Sequence, residues 1–159
     1  MIIICNAPRK SGKTRYSLNN IFAKQKEGNA YFICSGLESE KNKRSVSKNL
    51  QKFINPASET LFRGRDIDTI VCDEYCMFGY EFKKSLFKAY KYKRVKNIYI
   101  FGTGLGSTFK EDVYNLDESI HIKCSDLYND FDSEIKKQIV NKRFNQTKNE
   151  QRRVYSILE

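Results

Sequence analysis

Five short apolar runs punctuate the chain, at residues 2–5, 30–34, 69–72, 98–101 and 120–124. Each is near-continuous rather than alternating, the pattern of strands covered on both faces. Between them, apolar positions recur at helical spacing. Leu18, Ile21 and Phe22 share one face ahead of Gly28, a helix-stopping residue. Val46, Leu50, Phe53 and Ile54 repeat the pattern until Asn55-Pro56 ends it. Phe82, Leu86, Phe87 and Tyr90 form a third stripe, and Leu127, Phe131, Ile135, Ile139 and Phe144 a long fourth. The basic stretch 148–158 reads either as a further helix or as a fraying end, and the polar stretches 35–48 and 57–66 as loops. Strands alternating with helices need crossover connections, which place neighbouring strands parallel. The pattern therefore predicts an α/β fold: a mostly parallel five-stranded sheet flanked by helices. Residues 1–124 form the core, and 125–159 a C-terminal helical extension of the same domain.

Composition narrows the picture. The chain has 159 residues, 40% of them apolar and 30% charged, which suits one domain with its own core and excludes a mostly disordered chain. Lys and Arg outnumber Asp and Glu by 29 to 19, and the net charge of +10 points to an anionic partner such as nucleic acid. The five cysteines (Cys5, Cys34, Cys72, Cys76 and Cys124) read as reduced, buried core residues. Cys72 and Cys76 have no second cysteine pair to complete a zinc site, and His121 is the one histidine. No apolar run is long enough to span a bilayer, and the opening Met-Ile-Ile-Ile-Cys is too short for a signal peptide. The expectation is a cytoplasmic protein with no membrane partner.

The first apolar run leads directly into Asn6-Ala7-Pro8-Arg9-Lys10-Ser11-Gly12-Lys13-Thr14, followed by an amphipathic stretch. Ala7 through Thr14 match the phosphate-binding loop, with Ala7 where the first glycine usually stands. In such a loop, backbone N–H groups and a helix N-terminus cradle phosphate oxygens. Gly12 permits close approach, Lys13 reaches the β- and γ-phosphates, and the Thr14 hydroxyl is a Mg²⁺ ligand. If position 7 required a positive φ, the Ala7 methyl would be strained.

The run Asp68-Thr69-Ile70-Val71-Cys72-Asp73-Glu74 is an apolar strand ending in two carboxylates. Successive strand side chains point to opposite faces, so the two acids are free to take different tasks. Asp73 is assigned to Mg²⁺ beside Thr14, and Glu74 to polarising the water that attacks the γ-phosphate. No guanine-reading Asn/Thr-Lys-x-Asp segment occurs, so ATP is the default nucleotide. The run at 98–101 ends in Gly102-Thr103-Gly104-Leu105-Gly106-Ser107-Thr108. Ligands of open α/β sheets sit beyond the carboxyl ends of the strands, which puts Thr103 near the γ-phosphate or attacking water. Seven of the fourteen residues in 83–96 are basic and interleaved with aromatics, a candidate DNA-binding surface or simply a solvated helix face. Arg94 is a candidate arginine finger for a neighbouring subunit, in competition with Arg143, Arg152 and Arg153.

Together these motifs resemble the P-loop ATPases with an additional catalytic Glu. Among those, the chain is most similar to the ATPase domain of tailed-phage DNA-packaging (terminase-type) motors. Arg9 within the loop, Thr69 to Glu74, and the basic stretch leading to Gly102-Thr103-Gly104 carry the likeness. The resemblance implies a single P-loop NTPase domain in which Lys13 and Thr14 bind nucleotide and Mg²⁺, Glu74 catalyses, and Thr103 couples hydrolysis to movement. It also implies a homo-oligomeric ring acting with other phage packaging proteins in the host cytoplasm. The length leaves no room for the nuclease domain such motors carry, so the expectation is either a minimal ATPase or one that works with separately encoded partners. Pro8 to Lys13, Asp73-Glu74 with Phe78, and Leu105 to Phe109 are also similar to thymidine-kinase-type deoxynucleoside kinases. There Glu74 would deprotonate the nucleoside 5′-hydroxyl. A third expectation is a nucleotide-gated adaptor with little turnover.

Overall fold

The computed structural model describes residues 1–103 and 119–158, with side chains through 141 and at 143. The apolar runs, rich in β-branched and aromatic residues, all become strands. They are β1 (Ile2–Asn6), β2 (Ala30–Cys34), β4 (Ile67–Asp73), β5 (Val95–Gly102) and β6 (Ser119–Lys123). A short strand, β3 (Ile54–Pro56), adds a sixth. Every pairing among them is parallel, in the order β3-β2-β4-β5-β1-β6. The expected five-stranded, mostly parallel sheet is thus corrected to six described strands, all parallel. Ile54 is fully buried against β2, and Pro56 is tolerated because β3 is an edge strand.

The helices are α1 (Lys13–Tyr16), α2 (Gly36–Lys43), α3 (Tyr80–Lys91) and the long α4 (Leu127–Leu158). α1 continues without a break into a π-helical turn, Ser17–Phe22, closed by an Ala23 N–H to Leu18 carbonyl bond of 2.9 Å. Residues 36–43 are helical where the polar sequence suggested a loop, and the expected helix over 46–54 is instead a 3-10 turn, Lys48–Phe53, leading into β3. The inward side chains of α2 are Ser39 and Asn42, so its buried face carries no apolar signal.

The sheet has two apolar faces because its residues alternate. Ile2, Ile4, Ile70, Cys72, Ile98 and Ile100 face α3, which buries Phe82, Leu86 and Ala89 against them. Ile3, Cys5, Phe32, Val71, Phe101 and Ile122 face the α1 segment (Tyr16, Leu18, Phe22) and the first turns of α4 (Leu127, Phe131). Phe131 stacks on Phe101 with ring centroids 5.5 Å apart and meets Tyr16 edge-on at 5.1 Å. α4 therefore packs directly on the helix that follows the 7–14 loop.

Cys5, Cys34, Cys72 and Cys124 are buried free thiols as expected, and burial pushes Cys5 up to about 12. Cys76 is exposed, contrary to expectation, because it lies in a turn just beyond the sheet edge. Among the described residues, no helix is long and apolar enough to cross a membrane.

Candidate active site

The register brings the ends of three central strands together. β1 ends with Asn6 opposite Gly102 of β5, and Asp73 at the end of β4 lies opposite Phe101. The 7–14 loop, the two acids and Thr103 all leave the sheet at this edge. β5, which leads directly into Thr103, separates the loop strand from the acid strand.

The loop rises from a fixed base. Ala7 is buried, donates its N–H to the Gly102 carbonyl at 3.0 Å, and is not among the positive-φ residues. An alanine is therefore unstrained there. The left-handed positions fall at Lys10 (φ 61°) and Gly12 (φ 82°), the latter capping α1. Pro8, Arg9 and Lys10 are exposed, and the Ser11 hydroxyl is buried with no hydrogen-bond partner.

Lys13 is held within the loop's own framework. Its Nζ donates to the Pro8 carbonyl at 2.9 Å and to Thr103 Oγ1 at 2.6 Å, while Thr103 Oγ1 donates to the Ala7 carbonyl at 2.9 Å. Thr103 thus links the end of β5 to the loop amine.

The Thr14 hydroxyl donates to Asp73 Oδ2 at 2.7 Å. Asp73 is 3% exposed, and its other oxygen, Oδ1, is a buried atom with no hydrogen-bond partner of good geometry. Burial pushes this carboxyl up to about 6, and the neighbouring Glu74 charge adds to the rise. The Thr14 hydrogen bond, the Lys13 charge and the Glu74 N–H act in the opposite direction. A buried carboxylate with one oxygen unsatisfied beside a hydroxyl suits a small divalent cation. Mg²⁺ typically takes only one or two protein ligands and fills its remaining positions with water and phosphate oxygens. Among the described residues, no cluster of three or more His, Cys, Asp or Glu could hold a metal unaided, so any cation here would need such outside ligands.

Glu74 breaks from the strand with φ 52° and ψ 50°, a left-handed conformation uncommon for a side-chain-bearing residue. This bend opens the 3-10 turn Tyr75–Met77. It sends Tyr75 into the core against Phe78 and Phe87, with Lys83 Nζ 4.6 Å from its ring, and leaves Glu74 exposed.

Together these groups line an open cavity of about 550 Å³. Its walls include Arg9, Lys10, Gly12, Lys13 and Thr14 from the loop segment, Glu74 from the acid turn, and Thr103. Arg15, Cys76 and Met77 also line it, and none of them was read as a site residue from the sequence. Their one signal was adjacency, since each lies within three residues of a motif position.

Arg94 is not brought to this cavity. It precedes β5 and so lies at the opposite, amino-terminal edge of the sheet. Its guanidinium donates to the Phe62 carbonyl and, at 3.1 Å, to the Arg65 carbonyl. Residues 104–118 and the side chains of Arg152 and Arg153 lie outside the described residues.

No protein-family model matches the chain, and no curated protein matches it in sequence.

Proposed function

We propose that the chain is a Mg²⁺-dependent P-loop nucleoside triphosphatase that hydrolyses ATP. The observation that carries this reading is the convergence of Lys13, Thr14, Asp73, Glu74 and Thr103 on one site at the carboxyl edge of a parallel sheet. Such an edge is where open α/β sheets bind ligands. The position of β5 between the loop strand and the acid strand fits ATPases with an additional catalytic Glu.

In this reading the loop holds the phosphate chain, and the Lys13 ammonium exchanges its bonds to Pro8 and Thr103 for phosphate oxygens. Thr14 and Asp73 would hold Mg²⁺, which would supply neutralisation of the phosphate charge when bound. Glu74 accepts a proton from water as its oxygen bonds to the γ-phosphorus, and the bond to the bridging oxygen breaks to release ADP. Thr103, tied to Lys13, senses whether the amine is engaged. Glu74→Gln is expected to retain ATP binding and to lose about 10²–10⁴-fold in turnover. Unchanged phosphate release would remove Glu74 from the role of base.

The wider task we propose is movement of DNA by a ring of such subunits, as in viral genome packaging. Its support is the basic surface of α3 and the net charge of +10. Incubation with labelled ATP and either DNA or deoxynucleosides separates the outcomes. DNA-stimulated release of free phosphate is expected, whereas label in thymidine monophosphate would make the protein a nucleoside kinase.

A further inference from the structure

The phosphate cavity has a direction. Asp73 and Glu74 stand on its β4 side, and these acids define the γ-phosphate end. β5 and then β1 follow in the sheet, and beyond β1 lies β6, which leads into α4. A nucleotide with its γ-phosphate toward Glu74 and its β-phosphate over the loop therefore extends its sugar and base away from the acids, past Gly12, toward the start of α4.

Tyr128 stands there. A Cβ added at Gly12 would lie 3.8 Å from Tyr128 Cε2, so the ring borders the space beside the phosphate loop at this glycine. Tyr128 is 53% exposed, yet it is anchored on its inner side. Its inner side meets Tyr16 edge-on, with centroids 5.1 Å apart. The neighbouring Leu127 and Phe131 are buried in the core. Asp126 fixes the first turn of α4 by accepting from the Asn129 N–H at 3.3 Å and from Asn129 Nδ2 at 2.6 Å. A half-exposed aromatic ring held this firmly, on the side of the loop away from the acids, is suited to stack on another flat ring.

We infer that Tyr128 is the stacking platform for the nucleobase of the nucleotide whose phosphates occupy the 7–14 loop. The inference rests on the phosphate-binding reading of that loop and adds the base end of the ligand. Stacking uses the π-face that every base has, so Tyr128 contributes affinity for nucleotides without choosing sharply between adenine and guanine.

The test compares ATP, GTP and inorganic tripolyphosphate, each with Mg²⁺, by calorimetric titration of the full chain. Tyr128→Ala is expected to weaken ATP and GTP binding about tenfold and to leave tripolyphosphate unchanged, while Tyr128→Phe retains the affinity. The chain contains no tryptophan, so Tyr128→Trp creates a single reporter. Its fluorescence is expected to be quenched by ATP and GTP but not by tripolyphosphate. If all three ligands bind and Tyr128→Ala weakens them equally, or weakens none, the platform is wrong and the phosphate site stands. If neither tripolyphosphate nor nucleotide binds the unaltered protein, the phosphate reading falls and the platform with it.

Discussion

Asp73 is a carboxyl whose charged form the fold disfavours when no cation is present. Its pKa is raised from 3.8 to about 6, chiefly by burial, so the folded chain binds a proton that the unfolded chain has already released. The resulting stability is fully present below about pH 4 and is lost as pH rises through about 6. Asp73→Asn is accordingly expected to stabilise the ligand-free protein by about 1–3 kcal/mol at pH 8, with the gain vanishing near pH 4. Urea unfolding at several pH values measures this, and a difference independent of pH would show that burial is not what perturbs the group. Glu74 presents the same trade in backbone form, since a left-handed non-glycine residue is strained and such strain gathers where chemistry needs a side chain.

Among the elements, α4 has the most influence on the site because its first turns pack against Tyr16 and Phe101. Phe131→Ala is expected to cost about 3–5 kcal/mol, the range for deleting a buried aromatic, and to lower the thermal unfolding midpoint accordingly. A cost below about 1 kcal/mol would mean that α4 is not part of the core. Much of this level was readable in the sequence. The 2–5 run feeding the loop, the acid-tipped strand and the Phe82–Leu86 stripe all followed from apolar runs and spacing, because apolar side chains do the packing there. α2 was not readable, since Ser39 and Asn42 point inward while Leu37 is 94% exposed. β3 was concealed because Ile54 continues the spacing of Val46, Leu50 and Phe53, although it packs as a strand residue. At the site, the motif residues were legible because each lies at, or a short loop beyond, the carboxyl end of a strand. Chain direction also separates Arg94 from them, because it precedes its strand. Tyr128 gave no local signal, being more than a hundred residues from the loop it stands beside.

For the whole molecule, the charge is the open quantity. Lys84, Lys88 and Lys91 are exposed on the outer side of α3, while Phe82, Leu86 and Ala89 fill its inner side. If this row meets DNA phosphates, binding falls steeply with salt, and replacing the three lysines by alanine lowers the log–log salt slope by about 2–3. Fluorescence anisotropy with duplex and single-stranded DNA reads the slope directly; an unchanged slope would leave the row as solvated surface. The sheet order has one more consequence, for how the protein comes to be folded. β1 carries the loop, yet Ile2 pairs with Ile98 on one side and Ser119 on the other. The phosphate loop is therefore synthesised well before either of the strands that flank it, and acquires both only once the chain has been made through β6. Contacts so distant in sequence make for slow assembly, with β1 an unpaired apolar strand until then, and place the nascent chain's main risk of aggregation at the segment it needs most.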